Sequence, residues 1–162
     1  MTGYPCLYLA NSIYTCEKEV GRCKKGEIRY YSEFTPKKSL LLLDLTIPEP
    51  SSIVTYNNDK IYSYLLTYPL ILLTLTKVKT PNNYKNKKNT FFEEYLISQL
   101  LFHLLFFPKD SSVYYDGISY TSTKDYKGKS FVIPAKMGNQ IQYSGYSDYI
   151  NNLFDISKSI KL

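Results

Sequence analysis

The chain has no tryptophan, a single histidine, three cysteines and only two arginines among its 162 residues, and these scarcities remove several kinds of chemistry. His103 alone cannot build a histidine-based zinc site. Cys6, Cys16 and Cys23 are odd in number and lack metal-ligand spacing, so free thiols in a reducing compartment are the simplest reading. No Gly-rich phosphate loop, Ser nucleophile elbow, zinc signature or paired-carboxylate motif occurs. The N-terminus lacks a basic segment followed by an apolar stretch and a cleavage site, which argues against a signal peptide and for a cytoplasmic protein. Long apolar runs are missing too. Leu65 to Leu75 is broken by Thr67, Pro69 and Thr74, and Leu100 to Phe107 is shorter still, so both are expected in the core and no membrane association is expected.

What is present fits one domain over residues 1–162, which by surface-to-volume scaling buries roughly 70% of its unfolded surface. At 44% hydrophobic and 21% charged, the composition is globular. The 18 Tyr, with abundant Lys, Asn and Ile, read as the codon usage of an AT-rich genome. A net charge of +6 suits nucleic acid, an acidic partner or a phosphate-bearing ligand without choosing among them. Seven of the 20 basic residues, Lys18, Arg22, Lys24, Lys25, Arg29, Lys37 and Lys38, lie close together in sequence. A solvated Lys-rich face explains them, and an electropositive mouth for a phosphorylated substrate is the alternative.

Along the chain, Cys6 to Ala10 predicts a strand, and Asn11-Ser12 offers an N-cap for a helix from about Ile13 to Val20, ended by Gly21. Thr15 and Glu19 then share a helix face. Leu40 to Leu45 and Leu70 to Val78 read as strands buried on both faces, with Pro48 to Lys60 and Thr80 to Asn89 as connections. Thr90-x-x-Glu93 is a capping box opening a helix to Phe107, stopped by Pro108 and apolar enough to be buried. Tyr95, Gln99 and His103 form a polar stripe along it, which either is partly wet or borders a cavity. Asp116-Gly117 reads as a turn into a strand through Ser122, Phe131 to Ile133 as a further strand, and Tyr146 to Phe154 as a helix. Strands and helices are interspersed without regular βα alternation, which favours an α+β class over a doubly wound sheet.

Two segments far apart in sequence carry a resemblance. The stretch from Gly3 through Pro5-Cys6-Leu7-Tyr8-Leu9-Ala10 to Glu19 resembles the opening block of the RES domain family. Phe92 to Leu101 is similar to that family's central helix, and Asp116-Gly117-Ile118-Ser119-Tyr120-Thr121-Ser122 to its DGI-Y-S strand. Ser130 to Pro134 and Gly145-Tyr146-Ser147 resemble the end of the domain, so the similarity runs over essentially the whole chain.

The resemblance implies an ADP-ribosyltransferase-like mixed sheet with a buried central helix. It also implies a bacterial toxin that degrades NAD, by phosphorolysis to nicotinamide and the 1″-phosphate of ADP-ribose or by hydrolysis, and that is neutralised by an Xre-like helix-turn-helix antitoxin. NAD is then the substrate, phosphate or water the acceptor, and no cofactor is needed. Carried over by motif, Glu19 and Ser122 are the catalytic residues and Tyr8 contacts the substrate. Arg22, Tyr95 and Gln99 are further candidates for binding NAD. Such residue types suit the chemistry, because breaking the nicotinamide glycosidic bond develops positive charge on the ribose, which an aimed carboxylate stabilises.

One family feature is missing. Its Arg belongs just upstream of the Gly-x-Pro-Cys-Leu-Tyr-Leu block, where only Met1 and Thr2 precede Gly3, so the chain is expected to lack the extreme N-terminal segment of the domain. Arg22 and Arg29 are the candidate replacements. The alternative function is a catalytically impaired interaction module that keeps the RES fold and binds the antitoxin, with or without self-association. Direct nucleic-acid binding through the Lys-rich surface ranks last, since no base-reading or stacking motif supports it.

Overall fold

The structure is a computed structural model that describes residues 5–21, 26–75, 100–103, 105–106, 115–135 and 148–161. Its elements in chain order are β1 (Cys6–Ala10), α1 (Ile13–Val20), β2 (Tyr30–Tyr31), β3 (Phe34–Pro36), β4 (Leu42–Leu45), α2 (Pro50–Ile53) and α3 (Asn58–Leu75). Residues 100–103 and 105–106 are helical. There follow β5 (Gly117–Thr121), β6 (Lys129–Pro134), α4 (Asp148–Leu153), β7 (Phe154–Ile156) and β8 (Ile160–Lys161). Helices and a mixed sheet make an α+β architecture, as expected.

The main sheet has the order β1-β6-β5-β4, with β4 parallel to β5 and the other pairs antiparallel. Register assigns its faces. Tyr8 opposes Val132, Ala10 opposes Ser130, Ser130 opposes Tyr120 and Leu45 pairs with Tyr120, so all of these belong to one face. At the β4–β5 end this face is closed by Ile71 of α3 and by Phe106, which pack with Leu45 and Ile118. The opposite face, carrying Leu7, Leu9, Leu42 and Ile133, is closed by Ile150, Leu153 and Phe154. Two cores thus sandwich one sheet, and the β1–β6 end of the first face holds the polar residues.

Three sequence expectations change. The apolar run from Leu70 is helical through Leu75, not a strand, and 76–78 lie outside the described residues. Period alone cannot separate a buried strand from a Leu-rich helix. Here Asn57 decides, because its Oδ1 accepts the Lys60 N–H at 3.0 Å as an N-cap and starts one helix of 18 residues that continues through Pro69. The stretch Pro48 to Lys60 therefore holds α2, with Pro50 in its first turn, and the first turn of α3. Nor is β4 buried on both faces. As the sheet's edge strand it buries Leu45 fully, half-buries Leu42 and Leu43 and exposes Asp44.

Smaller corrections follow. The C-terminal helix ends at Leu153, and Phe154 opens β7, which pairs with β3. Of the helix expected to be buried from Thr90 to Phe107, the described part buries Phe106 and leaves Leu100 and His103 exposed. Tyr95, Gln99 and the capping box lie outside the described residues. Asp116 and Gly117 do more than turn the chain. Asp116 exchanges main-chain and side-chain hydrogen bonds with Leu41 and accepts one from the Tyr149 hydroxyl at 3.2 Å, tying β4, β5 and α4 together. Gly117 is not in the left-handed region; a Cβ there would collide with Ile133 Cδ1 and stand 2.7 Å from the Val132 carbonyl. Gly117→Ala is accordingly expected to cost about 2 kcal/mol by overpacking, seen as a lower urea midpoint with an unchanged slope.

Candidate active site

The site begins with a helix terminus. Ser12 caps α1 by accepting the Thr15 N–H at 3.1 Å, and Gly21 closes the helix at φ 92°, with its N–H on the Glu17 carbonyl. These local signals fix α1 to eight residues and set Thr15 and Glu19 on one side. Both side chains meet the turn between β5 and β6.

Thr15 is fully buried, and its hydroxyl donates to Asp125 Oδ2 at 2.7 Å while Ser12 Oγ stands 2.9 Å away. Gly128 lies flush against this contact. A Cβ there would sit 2.5 Å from the Thr15 side chain and 2.6 Å from Asp125 Oδ2. Asn11 completes the seam, exchanging main-chain and side-chain hydrogen bonds with Lys129 at 3.0 Å. One turn further along α1, Ser122 Oγ donates to Glu19 Oε1 at 2.5 Å, the length of a charge-assisted bond to a carboxylate. The Ser122 hydroxyl also accepts the N–H groups of Lys124 at 3.2 Å and Asp125 at 3.0 Å. Its one donor and two acceptors are thereby all used.

Lys124 adds a second hold, its ammonium donating to the Glu19 carbonyl oxygen at 2.5 Å and standing 3.9 Å from Glu19 Oε2. Half exposed, that ion pair orients more than it stabilises. The Glu19 side chain is 31% exposed, so the carboxylate is gripped on one side and open on the other. Near it lies the Tyr120 phenol. Burial is the main cause that raises the Tyr120 hydroxyl's pKa, and the charges of Glu19 and Tyr8 add to it. Ser130, directly opposite Tyr120, pulls the other way, although among the described residues the buried Ser130 Oγ has no partner in good hydrogen-bonding geometry. Tyr8 itself is largely exposed on the same sheet face.

The two described thiols, Cys6 and Cys16, are poor nucleophiles here. Burial pushes Cys6 up to about 11 and raises Cys16 as well, with the Glu19 charge adding to the latter. Among the described residues no group of three or more His, Cys, Asp or Glu side chains could hold a metal ion, and no helix is long and apolar enough to cross a membrane.

The structure brings together Glu19 and Ser122 in direct contact, with Tyr8 on the adjoining sheet face; Arg22, Tyr95 and Gln99 lie outside the described residues. Sequence reasoning missed Lys124, Asp125 and Gly128, whose partners are more than 100 positions away. Tyr120 was within reach, since strand alternation puts it in line with Ser122. A cavity of about 920 Å³ lies elsewhere, lined by Tyr8, Cys16, Arg29, Tyr30 and Phe131 among others, but by neither Glu19 nor Ser122.

Comparison with known proteins gives one distant relation. Over 98% of its length the chain is 31% identical to a protein of Bacillus subtilis (strain 168) named "Putative toxin YopC", across 179 aligned residues. The chain spans 37% of the length of that protein. No family model matches the chain, and no solved structure matches it.

Removing the seam has a measurable cost. Thr15→Val keeps the shape but leaves Asp125 without its buried donor, and is expected to lose about 1–3 kcal/mol of stability in urea unfolding. Gly128→Ala, which wedges the same contact apart, should lose a similar amount.

Proposed function

We propose that this chain is an NAD-cleaving domain of the RES type, with an ADP-ribosyltransferase-like sheet, acting as a toxin held in check by a helix-turn-helix antitoxin. The observation that carries the reading is the 2.5 Å hydrogen bond from Ser122 to Glu19, which joins the two segments that resemble that family across 103 positions. The similarity to a protein named as a toxin agrees with it.

In this reading the open side of the Glu19 carboxylate faces the nicotinamide ribose. As the bond from the ribose carbon to the nicotinamide nitrogen breaks, its electron pair leaves with neutral nicotinamide and positive charge spreads over the sugar. A carboxylate already fixed in place stabilises that charge without reorganising. Ser122 acts through Glu19: its proton and both lone pairs are committed within the protein, so it is a positioning residue. Tyr120 near the carboxylate, and Tyr8 on the same sheet face, supply aromatic surface suited to holding a flat ring. An oxygen of phosphate or water then bonds to the ribose carbon, and water loses its proton to solvent.

The second reading is an interaction module that keeps the fold and binds the antitoxin without turnover. The position of the large cavity, away from Glu19 and Ser122, is the observation that favours it.

Incubation with NAD, with and without phosphate, separates the two. Nicotinamide release is expected, giving the 1″-phosphate of ADP-ribose when phosphate is present or ADP-ribose when water is the acceptor. Glu19→Ala should slow it by about 100-fold or more, and Ser122→Ala should lower kcat with KM little changed. No nicotinamide from the unaltered protein would leave the interaction module standing.

A further inference from the structure

We infer that the 920 Å³ cavity is a nucleotide subsite in which Arg29 binds phosphate, taking the adenosine diphosphate part of a dinucleotide. The inference rests on the NAD reading for its ligand class, and on the cavity itself for its place.

The cavity has the volume of a small-molecule site, is half-open to solvent and is floored by apolar side chains of the sheet, Leu9, Leu42, Phe131 and Ile133. Tyr30 and Tyr31 wall it with aromatic surface on which a purine can stack. Arg29 lines it as well. Its Nη1 donates to the Gly21 carbonyl at 2.7 Å, which fixes the guanidinium at the C-terminus of α1. Among the described residues the carboxylate paired with it is Glu27, at 4.0 Å. The Arg29 side chain is 21% exposed, so a mostly buried cation keeps donors to spare beside an apolar wall. A phosphate, which accepts two of them at once, is the natural complement. Glu17 and Glu33 also line the cavity, and their charges disfavour an anion away from Arg29.

The place suits a shared ligand. Gly21, which holds Arg29, is two residues beyond Glu19, so the phosphate site and the carboxylate occupy the same end of α1. Tyr8 lines the cavity too, and so does Cys16, whose thiol is raised in part by the Glu19 charge. The cavity floor lies on the sheet face opposite Tyr120, so a dinucleotide with its reacting sugar at Glu19 must carry its phosphates round the C-terminal end of α1 to reach Arg29.

The absence of tryptophan provides a probe. Tyr30→Trp introduces a single reporter at an exposed position in the cavity wall. Titration with ADP is expected to change its emission saturably, with adenosine binding at least about tenfold more weakly. Adding Arg29→Gln should weaken ADP binding by a similar factor, and Glu19→Gln should leave it unchanged. No response to millimolar ADP, or equal affinity with and without Arg29, overturns the subsite. If Arg29→Gln does not fold, the preference for ADP over adenosine decides, and equal affinities overturn it. NAD cleavage is followed in the same preparations. Arg29-dependent ADP binding without cleavage would remove the NAD reading and leave the subsite, whereas cleavage with no Arg29 effect would do the reverse.

Discussion

Ser122 has one proton to give and two lone pairs to offer, and all three are spent between Glu19 and the turn that follows β5. That commitment binds a helix near the start of the chain to a strand end more than 100 residues later. Without it the Glu19 side chain would sample several rotamers at the surface, at an entropic cost for any chemistry needing it in one place. The hydrogen bond from the fully buried Thr15 to Asp125 sets the distance between the same two elements, and Gly128 allows it to be that short.

The sheet explains why the polar residues collect there. Its β4–β5 end is sealed by Ile71 and Phe106 on one face, while the other face is closed by Ile150, Leu153 and Phe154. The β1–β6 end of the first face carries Tyr8, Ser130 and Tyr120 in register, and α1 crosses at its rim. The Ser130 hydroxyl is buried there and, among the described residues, has no partner in good hydrogen-bonding geometry, which costs free energy. The same strand and helix border the cavity that holds Arg29. The Glu19–Ser122 contact and the cavity are therefore both positioned by one short unit, β1 followed by α1.

That unit was legible in the sequence to the residue. The strand Cys6–Ala10, the Ser12 cap and the Gly21 stop are local signals, and the shared face of Thr15 and Glu19 follows from helix geometry. What these side chains touch was not legible, because Asp125, Lys124 and Gly128 carry no local mark of a partner so far away. Ser122 was singled out through resemblance alone. The strand expected from Leu70 failed for a different reason: an apolar run satisfies helix and strand equally, and the Asn57 cap that decides lies 13 residues upstream. Gly117 looked like turn chemistry, but the constraint is the approach of Ile133 and Val132 across the sheet.

The central claim is that Glu19 and Ser122 act as one unit. A double-mutant cycle in urea unfolding, built from Glu19→Gln, Ser122→Ala and their combination, tests it most directly. A coupling free energy of about 1 kcal/mol or more is predicted, as expected of a hydrogen bond to a charged group. Additive effects of the two substitutions would contradict it.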